Sequence, residues 1–337
     1  MPWFVFASLL PAGLLALACL LGGIWPLLAV LSITVFVFFM DKLPRRAQVS
    51  DATGRALCLT LAVVHFPLLA LGVRALAAGQ QLDLTDKLLI FAGLGLFFGQ
   101  VSNSNAHELI HAGRRLPRRI GVAIYVSLLH GHHVSAHLRV HHVHAATDAD
   151  PNSAPMGMGF WRYCGHVLRG EFTAGLRAET AHRARAATSP PAWSHPYLGY
   201  LAGAAAALLC AFLLEGFRGL VVYVGIAAYA QWQLLLSDYV QHYGLRRRVL
   251  ETGKPEPVGP QHSWNAPKWY SSAMMLNAPR HSDHHMRPAR AFPALEVTPE
   301  TMPVLPHSLP VMAVVALVPP LWHRLMDRRA ARWQDVA

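Results

Sequence analysis

The sequence predicts an all-α integral-membrane fold, and three observations predict it. Of 337 residues, 53% are hydrophobic and only 14% charged, against roughly a quarter charged in a soluble domain. Six apolar runs are long enough to cross a bilayer, which takes about 20 helical residues at about 1.5 Å each. Basic clusters follow the second, fourth and sixth runs, the distribution expected when those ends face the cytoplasm.

Residues 3–22 give the first span, and Gly22-Gly23-Ile24-Trp25-Pro26 turns the chain into the second, 24–40. The third covers 56–77, with Arg74 near its end. The fourth, 86–105, stays apolar to Val101 and then runs without a proline or glycine through SNSNAHELIH, so one helix leaves the membrane carrying that segment. The fifth and sixth are 197–214 and 220–243. A weaker run from Leu309 to Leu325 holds Pro310, Pro319 and Pro320, which interrupt helices, and reads as interfacial. The first run lacks the basic flank and cleavage site of a signal peptide and is expected to be retained. The chain 1–337 is then one membrane-bound domain, with cytoplasmic segments at 106–196 and 244–337.

Formal net charge is +11. Lys42, Arg45, Arg46 and Arg55 follow span two; Arg114, Arg115, Arg118 and Arg119 follow span four; Arg246, Arg247 and Arg248 follow span six. Topology explains these positions, with both termini cytoplasmic, and nucleic-acid binding is a poor reading of them. The four cysteines, Cys19, Cys58, Cys164 and Cys210, contain no CxxC pair and read as packing residues, so neither a disulfide framework nor an iron–sulfur site is expected.

The 20 histidines mostly avoid the spans, where only His65 and His242 fall. HELIH sets His107 and His111 at i and i+4, one helical face a turn apart and suited to one ion. HLRVHH repeats that spacing with His137 and His141 and adds His142; RHSDHH supplies His281, His284 and His285; and QHYG places His242 at the end of span six. Spans four and six exit on the same side, so all four stretches converge on one cytoplasmic face. These nine imidazoles exceed the roughly four to six ligands of one ion, and two ions are implied. Neutral imidazole suits Zn, Cu, Ni and Fe alike. A closed structural zinc site usually recruits cysteine, which these clusters lack.

Neutral ligands leave the ions' charge to be offset from behind the rings. Glu108, Asp238 and Asp283 are placed to do that, and His132 is the foremost candidate among the flanking His130, His132, His133 and His144. Asp148 and Asp150 read as holding a loop. His166, His182, His195, His262, His307 and His323 lack ligand spacing.

On these residues the chain resembles the integral-membrane alkane monooxygenases, with their xylene-type relatives, in the wider membrane desaturase and hydroxylase superfamily. HELIHAGRR (107–115) resembles the first histidine box, HLRVHH the second, SDYVQHYGLRR (237–247) the third and RHSDHH the last. ATDADPNSAPMGMGFWRY (146–163) is similar to the segment after the second box. The resemblance spans roughly 86–290 and implies a non-haem diiron centre, O₂ as co-substrate, and electrons from rubredoxin and its NAD(P)H-dependent reductase. It implies oxygen insertion into a C–H bond of an apolar substrate, typically the terminal methyl of an alkane, by a multi-pass protein of the bacterial inner membrane. The hydrocarbon would enter from membrane lipid through a slot shaped by spans one to four, its length set by residues such as Phe98, Trp25 or Phe38. The basic clusters after spans four and six could attract an acidic electron donor.

Two boxes depart from that family's pattern. Its second box begins Glu-His-Asn with glycine before the paired histidines, where this chain has Ala136, Leu138 and Val140. Its third carries asparagine early and glutamate before the histidine, where Asp238 and Gln241 stand here. The histidines survive while their neighbours change, which opens the substrate beyond plain alkanes. A fatty-acyl desaturase or lipid hydroxylase shares the histidine spacing and is the alternative. A membrane metal transporter fits poorly, because transport sites place ligands near the midplane.

Overall fold

The computed structural model describes residues 2–43, 51–188 and 190–336; Arg45 and Arg46 lie outside them. Among the described residues all regular structure is helical, apart from two isolated bridges.

Helices α1 (Pro2–Leu21) and α2 (Ile24–Ile33) form the expected hairpin. Its turn needs glycine: Gly22 has φ 62°, and a Cβ there would lie 2.6 Å from Asp86 Oδ2. Thr34 breaks the second run, and α3 (Val35–Met40) completes it. After α4 (Asp51–Ala78), the Asp83 side chain accepts from Asp86 N and caps α5 (Leu84–Phe97), satisfying one free N–H of the first turn. A π-helical turn, Phe98–Ser102, leads straight into α6 (Asn103–Ile110). The expected single helix carrying HELIH is therefore present, running Leu84–Ile110.

The next segment, 106–196, expected from the sequence to be cytoplasmic, contributes a helix packed against the bundle. Helix α7 (Arg115–Ser127) turns back along α6. Arg114, Arg115, Arg118 and Arg119 at its start are exposed, whereas Ile124 and Tyr125 are buried. Its last residue reaches His65 in α4: the Nε2 and Nδ1 of His65 meet Ser127 Oγ at 2.8 Å and Ser102 Oγ at 3.0 Å. A histidine in an apolar run thus has both nitrogens partnered, as burial requires. The apolar half of α7 is too short to register as a span by length.

Short helix α8 (His133–Ala136), a π-helical turn (His137–His141) and α9 (His142–His144) follow, then amphipathic α10 (Phe160–Ala184). Helix α11 (Pro196–His242) joins the fifth and sixth runs; non-helical Glu215 and Gly216 (φ 62°) fold it into two arms. Glu215 pairs with Arg74 at 3.4 Å. Helix α12 (Trp269–Met274) is followed by α13 (His281–Met286), which carries the last box. Helices α14 (Leu309–Ala316) and α15 (Pro319–Val336) divide at the prolines. The run read as interfacial packs through α14 on α11, burying Leu309, Met312 and Ala316.

Four helices of the described residues are long and apolar enough to cross a membrane: Pro2–Leu21, Gly54–Ala78, Leu84–Ile110 and Pro196–His242. Ile24–Met40 is apolar but shorter.

Candidate metal centre

All nine histidines of the four boxes come together, in two groups. The first holds His107 and His111 from α6 and its end, His137 and His142 from the two sides of the π turn, and His284 from α13. The second holds His141, His242 at the end of α11, and His281 and His285 from α13. Within each group the candidate ligand atoms all lie within 4.8 Å of one another.

HELIH behaves as its spacing predicts, but HLRVHH does not. His137 and His141, four apart, go to different groups, while His137 and His142, five apart, share one. The π-helical turn between them is the cause: its wider i to i+5 winding aligns residues that an α-helix would set aside. Helix α13 divides its histidines in the ordinary α manner, His281 and His285 on one face and His284 on the next.

The nitrogen positions test whether a metal fits. Nε2 atoms of His111, His137 and His142 form a triangle with sides of 3.1, 3.2 and 2.9 Å. A ring nitrogen either donates or accepts, so three mutually facing nitrogens always leave two of one kind opposed. His284 Nε2 adds a 3.2 Å contact to His142. In the second group His281 Nε2 lies 2.9 Å from that of His242 and 3.1 Å from that of His285. Ligands about 2.1 Å from an ion at right angles are about 3 Å apart, so the spacing suits a cation at each centre. Buried His107 Nε2 and His141 Nε2 lack hydrogen-bond partners. The donors therefore fit metal ions, which take imidazole in its neutral form. Burial pushes His111 down to about 4 and His281 to about 3, and holds His137, His142, His284 and His285 well below the usual histidine range. His141 is the exception. Burial depresses it too, but the Asp150 carboxylate more than offsets that and raises it.

Asp150 is the carboxylate behind a ring that sequence reasoning assigned to a loop. It accepts from His141 Nδ1 at 2.9 Å and from Ser153 Oγ at 2.6 Å, so it holds both ring and loop. Asp148 meets Arg246 at the surface. The carboxylates expected to stand behind rings also make contacts with the chain around the boxes. Asp238 accepts from Asn152 Nδ2 at 2.8 Å, Asp283 binds Arg287 and Arg290, and Glu108 accepts from Phe292 N at 3.2 Å. Those bonds brace the chain around the boxes. His132 is only half-buried, beside His130 and Phe172, and belongs to neither group. Asn265, which has no local signal, fixes α13 through Ser282, accepting from its N–H at 3.0 Å and donating to its Oγ at 2.7 Å.

Ala136, where the resembled family has glutamate, leaves room for Gly175 of α10: a Cβ on Gly175 would lie 3.0 Å from Ala136. Helix α10 brings its own acids to this flank, Glu179 to Ser135 and Arg139, and Glu171 to His133. Their i, i+4, i+8 register with Gly175, among apolar Tyr163 and Val167 on the same buried face, was the available signal.

A small cavity of about 60 Å³ reaches His107, His137 and His281, with Gln100, Gln233 and Ser237 on its walls. It shares Gln100, Gln233, Pro310 and Ala313 with an outer groove of about 460 Å³ between α3, α5, α11 and α14. Phe38 lines that groove. Phe98 instead packs on His65, with ring centroids 5.0 Å apart.

A helical bundle that gathers histidines from four sequence-distant boxes defines a class of membrane oxidoreductases. Residues 87–315 match the family described as Fatty acid desaturase, and the chain belongs to that family. Within it the chain is of the alkane 1-monooxygenase type, an oxygen-dependent oxidoreductase and a multi-pass membrane protein. It is 28% identical to alkane 1-monooxygenase 2 of Pseudomonas aeruginosa over 90% of this chain and 83% of the relative. Identity to alkane 1-monooxygenase 1 of the same organism is 30%, over 81% and 72%. The xylene/toluene monooxygenase hydroxylase component of Pseudomonas putida is 25% identical over 82% and 73%.

Proposed function

We propose that each histidine group holds one iron and that the chain hydroxylates a C–H bond of an apolar substrate, an alkane terminal methyl or a related hydrocarbon. The observation that carries this reading is the division of nine imidazoles into two groups whose opposed nitrogens suit two cations. Bound iron would supply O₂ activation, with two electrons and two protons consumed as one oxygen atom enters the substrate and the other leaves as water. The chain supplies neutral imidazoles, Asp150 orienting His141, and an approach through the Phe38-lined groove past Gln100 and Gln233.

In this reading the chain is one domain of six spans, the two arms of α11 counting separately, in the inner membrane of a bacterium with its histidines on the cytoplasmic side. Rubredoxin and its NAD(P)H-dependent reductase supply the electrons. An acidic donor would meet exposed Arg114, Arg115, Arg118 and Arg119. Arg246 and Arg248 are instead engaged with Asp148 and Glu256, and Arg247 with the carbonyls of Val143 and Glu256.

The test is oxidation of alkanes, alkylbenzenes and terpenes under ¹⁸O₂ by cells that also express rubredoxin and reductase, alongside metal analysis of the detergent-purified protein. Labelled alcohol and two irons per chain are expected. A double bond without label would identify a desaturase. Zinc alone, or iron without O₂ consumption on any substrate, would refute the proposal.

A further inference from the structure

Beside the two histidine groups lies a third set of donors. His130, His133 and Glu171 are 2%, 2% and 1% exposed, and their candidate ligand atoms also lie within 4.8 Å of one another. Glu171 comes from the buried face of α10, and the histidines from the turn that precedes the second box.

Hydrogen bonding accounts for only part of this set. His133 Nδ1 meets Glu171 Oε1, a hydrogen bond of the metal-free chain whose ring proton would be released when both groups turn to an ion. Glu171 Oε2 and both ring nitrogens of His130 are buried without a hydrogen-bond partner. His130 Nε2 stands 3.4 Å from Glu171 Oε2, too far for a charge-assisted hydrogen bond of about 2.7–2.9 Å. It does suit two ligands of a tetrahedral ion, each about 2.0–2.1 Å from the metal and so about 3.3 Å apart. Burial by itself opposes the Glu171 charge, which therefore needs a positive partner. A cation would compensate that buried charge and occupy the idle lone pairs together. Two imidazoles and one carboxylate are a recurrent protein set for zinc, with the fourth position left to water.

We propose that His130, His133 and Glu171 form a third metal site, for a zinc-class divalent ion, distinct from the two all-histidine groups. The ion pins α10 to the chain just before the π turn. His133 carries that restraint onward, its ring stacked on His137 at 5.2 Å. The site stands on its own geometry and not on the assignment of iron to the other two groups.

Zinc titration of the metal-free full-length protein in detergent, with bound zinc per chain measured after desalting, tests this. The wild type is expected to bind one more zinc than Glu171→Gln, and Glu171→Gln and His130→Phe should show the same loss with unchanged helicity and elution. Equal stoichiometry in wild type and folded variants would overturn the site, leaving only hydrogen bonds there. The number of ions retained by Glu171→Gln separately scores the two-metal reading, which expects two. If the variants do not fold, a structure of the zinc-loaded wild type decides: density between the three side chains supports the site, and none overturns it.

Discussion

Asp150 shows how much one side chain can add to a ligand it does not resemble. By accepting from His141 Nδ1 at 2.9 Å it fixes the ring so that Nε2 faces the second group, and its charge makes this imidazole a stronger donor. Asp150→Asn keeps the shape and removes the charge. Metal affinity or activity should fall about 10- to 100-fold, measured by competition with a chelator and by turnover. His141→Ala and His284→Ala remove one ligand from different groups. Each should abolish turnover, and metal analysis should show loss from one group with the other still filled.

At the scale of elements, the π turn at His137–His141 decides which histidines fall in one group. Inserting one alanine after Val140 would move the later histidines by about 100° relative to His137. All nine histidines would remain, yet bound metal should fall below two per chain while helicity by circular dichroism is kept; full occupancy would show that the turn is incidental. A second element-scale device is the pair Gly95 and Gly99, whose missing side chains admit α11. A Cβ would lie 2.0 Å from Tyr229 at Gly95 and 2.3 Å from Gln233 at Gly99. Small residues four apart allow such close approach between helices in lipid. Gly99→Ala should destabilise by about 1–3 kcal/mol, read as a lower Tm in detergent, and should widen the α5–α11 spacing that shapes the inner cavity.

Across the whole molecule, the histidine groups link α6, the second box, α11 and α13, so ions bound there tie together most of the bundle. Chelation should lower Tm as well as stop turnover, because ions that bind only the folded chain stabilise it. A Tm indifferent to metal would mean that packing alone holds the boxes together. Helix identity, the hairpin at Gly22-Gly23, the continuous HELIH helix and all nine histidines were legible in the sequence. Run length, turn glycines and ligand spacing are local signals, and each is written within a few residues. The return of α7 was not legible, since its apolar half is shorter than a span, and neither were Asn265 beneath α13 or the Asp150 contact. That His137 shares a group with His142 and not with His141 was not legible, because their spacing suggests α periodicity where the backbone is π-wound. Sequence by itself determined that this protein is a helical membrane protein with a nine-histidine site, since periodicity and composition act along the chain. Tertiary structure alone decided which imidazoles face each other and which carboxylates stand beside them. Those are distances between segments far apart in sequence, and only packing sets them.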